Sequence, residues 1–125
     1  MTRKAFKAEG TNVAGPYSQA VEADGWVYLS GQTPTVFETG KLLSADIGKQ
    51  TAQCFANLKR VMDAAGLTWD NIVKVNVFLT DIGKFTEMNA VYGTIFETPY
   101  PARTTIAVAA LPMGAEIEID MVARR

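Results

Sequence analysis

The sequence predicts an α+β fold: a mixed β-sheet with two helices packed on one face. Three observations lead there. Several segments are rich in β-branched and aromatic residues and bounded by turn residues, two others repeat apolar residues at steps of three and four, and the order is strands, helix, strand, helix, strands.

Taken in order, residues 3–7 and 17–22 read as short strands separated by Gly-Thr-Asn and Ala-Gly-Pro loop chemistry. Residues 25–30, GWVYLS, read more firmly as a strand that opens after Asp24-Gly25 and ends at Gly31 and Pro34. From Ser44 to Ala65, the residues Ile47, Thr51, Cys54, Leu58, Val61 and Ala65 recur with helical spacing, with Ser44 or Asp46 as cap and Gly66 as stop. NIVKVNVFL, residues 71–79, places Val73, Val75, Val77 and Leu79 on one face and predicts a strand in the middle of the sheet. Asp81 then caps a second helix, whose stripe of Phe85, Met88, Tyr92, Ile95 and Phe96 runs until Thr98 and Pro99 break it. Two strands close the chain, at about 103–109 and 115–123, separated by Leu-Pro-Met-Gly.

Composition bounds the function. A chain of 125 residues with 48% hydrophobic content is expected to fold as one domain spanning residues 1–125. Twelve basic and thirteen acidic residues leave no net positive field, so neither nucleic acid nor an anionic membrane is an expected partner. No stretch has the length of a membrane span, and MTRKAFKAEG lacks the apolar core of a secretory signal, so the expected location is cytoplasmic. The single cysteine, Cys54, lies on the apolar helix face and reads as a small core residue in a reducing compartment. With no histidine, the chain has no Ser-His-Asp triad, Cys-His pair or ordinary zinc site. Chemistry must come from carboxylates, Arg, Lys, Tyr, hydroxyls and the backbone.

Two charges in the closing strands need explaining. Alternation puts Arg103, Thr105, Ala107 and Ala109 on one face of their strand, and Glu116, Glu118, Asp120 and Val122 on one face of the next. Were those strands a hairpin centred near Pro112, Arg103 would oppose residue 122, roughly 13 Å along the strand from Glu118. Either the strands pair otherwise, or one site takes its Arg and its Glu from neighbouring subunits. An open, weakly charged second sheet face also predicts a homo-oligomer. Arg103 has the planar fork that grips a carboxylate, or it pairs with a local acid or meets solvent. Glu118 is a candidate base, or a solvated strand carboxylate that spacing does not separate from Glu116 and Asp120.

Other candidates are weaker singly. GPYSQA offers Tyr17 after a Pro-led turn, and SGQ offers Ser30 and Gly31, where the missing Cβ permits close backbone approach. Asn89 lies one turn before Tyr92, near the apolar stripe, where it would need hydrogen-bond partners if buried, and capping a neighbouring loop is its simplest role.

Together, "GPYSQA", "YLSGQTP", "VMDAAGL", "IVKVNVFLTD", "MNAVYGTIF", "PARTTIAVAALP" and "IEIDMVA" resemble, in order and spacing, the reactive intermediate deaminase (RidA, or YjgF/YER057c/UK114) family over essentially the whole chain. The resemblance implies a chorismate-mutase-like fold assembled as a homotrimer with clefts between subunits. It implies hydrolysis of 2-imino acids such as 2-iminobutanoate and 2-iminopropanoate, or their enamine tautomers, to 2-oxo acids and ammonia, without metal or organic cofactor. Those imines are released by pyridoxal-phosphate-dependent dehydratases, and clearing them limits metabolite damage. By motif, Arg103 would hold the substrate carboxylate and Glu118 would position or activate water, while Tyr17, Ser30, Gly31, Asn89 and Thr105 would line the pocket. Thr105 stands where many members carry cysteine, and the segment between Phe96 and Pro101 is short, which puts substrate preference in question. A non-catalytic 2-oxo acid sensor is the alternative reading. An endoribonuclease or translation inhibitor, an activity attributed to some members, is disfavoured by the acidic pI and the lack of a basic stripe.

Overall fold

The computed structural model describes residues 2–125. Its six strands are β1 (Lys4–Phe6), β2 (Ala20–Ala23), β3 (Trp26–Gln32), β4 (Ile72–Leu79), β5 (Ala102–Ala107) and β6 (Ile117–Arg124), and its two α-helices are α1 (Ile47–Ala65) and α2 (Phe85–Ile95). The strands form one mixed sheet in the order β1-β2-β3-β6-β4-β5, in which only β4 and β5 are parallel. The predicted α+β layout with two helices is therefore the observed one.

The local chemistry explains the boundaries. Asp24 and Gly25 both take positive φ, which makes the tight turn joining β2 to β3. Asp46 caps α1 by accepting from the Lys49 N–H, and Gly66 ends it in the left-handed conformation. Asp81 accepts from the Gly83 N–H and opens a short 3₁₀ turn, Ile82–Lys84, that feeds α2.

Both helices cover the same face of the sheet. Val75, Val77 and Leu79 of β4, with Ile117, Ile119 and Met121 of β6, are fully buried beneath Leu58, Val61, Met62 and Met88. The other face carries a mixture: exposed Trp26, Tyr28 and Ile106, a Lys74–Thr104 hydrogen bond of 2.7 Å, and an Asn76–Asp120 one of 2.8 Å. Among the described residues, no helix is long and apolar enough to cross a membrane.

Two expectations need correction. Val73 does not share the buried face of β4, because the register slips between Ile72 and Lys74 and turns Ile72 inward in its place. β3 does not stop at Gly31 but continues to Gln32 through a second bulge. Of the pairings left open for the closing strands β5 and β6, the hairpin is not the one formed. β4 lies between them, because the α2 crossover returns the chain parallel to β4.

Candidate active site

The strand register divides the predicted site residues into two groups. Arg103 pairs across from Val75 and Thr105 from Val77, so both point to the helix-covered side along the edge strand β5. Asn89 is half-buried on α2, spaced four residues from Phe85 and three from Tyr92, and so shares their side of the helix. Glu118 pairs across from Phe78 and points to the opposite, open face. Tyr17, Ser30 and Gly31 join Glu118 in lining a cavity of about 710 Å³. Within one chain, Arg103 and Glu118 thus lie on opposite faces of the sheet, and the structure does not bring them together.

The Arg103 group is defined by its missing partner. Among the described residues, the half-buried guanidinium makes no salt bridge and no hydrogen bond. Its Cζ lies instead 4.6 Å from the centre of the Tyr92 ring and 5.4 Å from that of Phe85. Beside it, the Tyr92 hydroxyl and Thr105 Oγ1 are buried without a hydrogen-bond partner. Burial pushes the Tyr92 hydroxyl pKa above its ordinary value, with the nearby Arg103 charge acting the other way.

On the Glu118 side, a bulge shapes the wall. Between Leu29 and Gln32, β3 advances three residues against two of β6, which turns Gly31 toward Glu118. A Cβ at position 31 would overlap Glu118 Oε2 and stand 2.9 Å from its Cδ, so only glycine leaves room for the carboxylate in this pose. The Ser30 hydroxyl donates to the Ser18 carbonyl at 2.6 Å and its N–H to the Gln19 carbonyl at 2.9 Å, tying the loop that bears Tyr17 to the strand. Gln19 is buried and secures the same loop from below: Oε1 accepts from the Ala8 N–H at 2.7 Å, and Nε2 donates to Thr11 Oγ1 at 2.9 Å. Half-exposed Tyr17 reaches the cavity from that loop.

Structure separates the three carboxylates that spacing left equivalent. Glu116 accepts from Lys84 Nζ at 2.8 Å and from Gln50 Nε2 at 3.0 Å, and these bonds lower its pKa. Asp120 accepts from Asn76. Glu118 alone has no hydrogen-bond donor among the described residues, and its pKa is raised, first by burial and then by the Asp120 charge. A carboxylate held above its ordinary range and free of internal donors is a better base than its neighbours.

Sequence reasoning missed Tyr92 and Phe85 as the residues that hold Arg103, reading them only as an apolar stripe. It also missed Gln19. Cys54 is buried as expected, and its thiol pKa is raised, chiefly by desolvation. Among the described residues, no group of three or more His, Cys, Asp or Glu side chains gathers where it could hold a metal ion.

Comparison with known proteins matches this architecture. A family model described as "Endoribonuclease L-PSP" matches residues 8–125. A 2-iminobutanoate/2-iminopropanoate deaminase of Dermatophagoides farinae is 40% identical over 108 residues, covering 86% of this chain and 84% of that one. Reactive Intermediate Deaminase A, chloroplastic, of Arabidopsis thaliana is 41% identical over 109 residues, covering 87% of this chain and 58% of that longer protein. Among solved structures, RidA from an Antarctic Psychrobacter superposes with a TM-score of 0.91 at 37% identity, over 98% of this chain and 100% of that one. With a family model matched over residues 8–125 and relatives of this identity and coverage, the chain belongs to the Endoribonuclease L-PSP family, some of whose members carry the RidA name that the sequence motifs resemble.

Proposed function

We propose that this protein is a deaminase that hydrolyses small 2-imino acids to 2-oxo acids and ammonia, in clefts where Arg103 of one copy faces Glu118 of the next in a homotrimer. The single observation that carries the reading is Arg103: a half-buried cation without an ion-pair partner among the described residues, braced by aromatic faces. A guanidinium placed so is costly unless an anion arrives to use its fork. The deaminase names of relatives about 40% identical support the reaction class.

The chemistry asks for little. Arg103 binds the substrate carboxylate and fixes the imine carbon, whose nitrogen is already protonated. Water attacks that carbon as Glu118 takes its proton, giving a carbinolamine. Glu118 returns the proton to nitrogen, the C–N bond breaks as the hydroxyl oxygen forms the carbonyl and gives its proton to Glu118, and ammonia leaves as ammonium by taking that proton. Iminium and water become 2-oxo acid and ammonium, with Glu118 regenerated. Orientation and one general base supply the acceleration. Tyr17, Ser30, Gly31, Asn89 and Thr105 line the cleft from its two sides.

Opposite placement of Arg103 and Glu118 on the sheet supports assembly, since a three- or four-carbon acid cannot bridge both within one chain. The half-exposed Trp26, Tyr28 and Ile106 on the open face supply apolar surface for the contact. Ribonuclease activity is suggested by the family description and by the word endoribonuclease in the names of two similar solved structures, but the balanced charge supplies no net positive field for a polyanion.

The test is ammonia release from imine generated by a serine or threonine dehydratase. Parent protein accelerates it, whereas Arg103→Ala stays at background while light scattering still reports a trimer. An Arg103→Ala protein as fast as the parent overturns the assignment.

A further inference from the structure

Arg103 is unusual in what holds it. A structural arginine normally spends its fork on a carboxylate or carbonyls, whereas here the guanidinium is flanked by rings, with Tyr92 the nearer at 4.6 Å. With no hydrogen bond or ion pair among the described residues, the guanidinium keeps its N–H groups free to donate, and that fork is the part that binds a carboxylate bidentately. The Tyr92 ring is itself immobilised. It is 6% exposed, lies 5.0 Å from the Phe96 ring and 5.9 Å from Phe55, and both of those rings are buried. Phe55 in turn packs edge-on against Phe96 and Trp69, so the support extends from α2 into α1.

We infer that Tyr92, locked between Phe55 and Phe96, is the shelf that orients the Arg103 guanidinium and so governs how tightly the site holds a small carboxylate. Tyr92 is thus a positioning residue that acts through Arg103, and the inference rests on the reading of Arg103 as the substrate anchor. The ring face carries the effect. The hydroxyl makes no hydrogen bond and is dispensable for it.

The experiment measures 2-oxobutanoate binding by calorimetry, and KM and kcat in the dehydratase-coupled assay, for parent, Tyr92→Phe, Tyr92→Leu and Phe85→Leu. Tyr92→Leu is expected to raise Kd and KM together by about five- to tenfold while kcat stays within about twofold, as for loss of a partly desolvated cation–π contact. Tyr92→Phe, which keeps the ring, restores parental binding. Phe85 is half-buried and truncation there is better tolerated; Phe85→Leu is expected to weaken binding by about twofold, and it decides the matter should Tyr92→Leu fail to fold. Parental binding in folded Tyr92→Leu, or in Phe85→Leu where that variant decides, overturns the shelf while leaving the deaminase reading intact. Equal losses in kcat and binding, unrescued by Tyr92→Phe, also overturn it. A parent that neither binds 2-oxobutanoate nor turns over the imine sinks the deaminase reading, and the shelf falls with it.

Discussion

Gly31 leaves the space that the Glu118 carboxylate occupies: a Cβ at position 31 would stand 2.9 Å from Glu118 Cδ and 3.1 Å from its Cγ. Those atoms belong to a flexible side chain, which can swing aside at small cost. Gly31→Ala is therefore expected to change unfolding free energy by less than about 1 kcal/mol, yet to lower kcat at least about tenfold, because the displaced carboxylate no longer meets the attacking water. Chemical denaturation and the coupled assay on one preparation check both halves.

Glu118 also sets a pH dependence. Its folded pKa is raised by burial and by Asp120, so activity that uses Glu118 as base is expected to fall on an acid limb above the usual carboxylate range of about 4.3. Stability runs the other way. Between the ordinary and the raised pKa, the folded state binds more protons than the unfolded state, so this group's contribution to stability falls as pH rises through that window. Glu118→Gln should remove most of the activity, and at neutral pH it should be more stable than the parent. That advantage disappears in titrations carried below the ordinary carboxylate pKa.

Tyr92→Phe should stabilise the fold. Its hydroxyl is buried without a partner, an arrangement that costs roughly 1–3 kcal/mol, and deleting it should recover about 1 kcal/mol. Thermal unfolding of the two proteins tests this, with a rise of a few degrees expected.

Gln19 makes the opposite case. Gln19→Ala leaves the Ala8 N–H buried without its 2.7 Å acceptor, at an expected cost of about 1–3 kcal/mol, and frees the loop that carries Tyr17. Lower stability with a raised KM is the expected pair of effects, read by denaturation and steady-state kinetics.

Legibility in the sequence followed how local the determinant was. Asp46 and Gly66 announced the ends of α1 because caps act within a turn. Val73 was misplaced because a bulge shifts the face without leaving a mark in the alternation. Whether β5 and β6 pair was left open, because spacing does not give strand order; the parallel β4–β5 pairing settles it. Glu118 could not be told from Glu116 and Asp120 because their partners, Lys84, Gln50 and Asn76, lie 32, 66 and 44 residues away. Alternation singled out Arg103 and Glu118 as charges to explain, and only the motif resemblance implied a role for each. Their placement on opposite faces required the strand order.

That placement allows the central claim to be tested by mixing subunits. Arg103→Ala and Glu118→Gln proteins, each inactive alone, are unfolded together and refolded at equal concentration, and ammonia release is measured. If each cleft takes Arg103 from one copy and Glu118 from its neighbour around a closed ring, random mixing regenerates intact clefts at about a quarter of the sites, and about that share of parental activity returns. A mixture that refolds into trimers yet remains as inactive as either variant alone would contradict a cleft shared between copies.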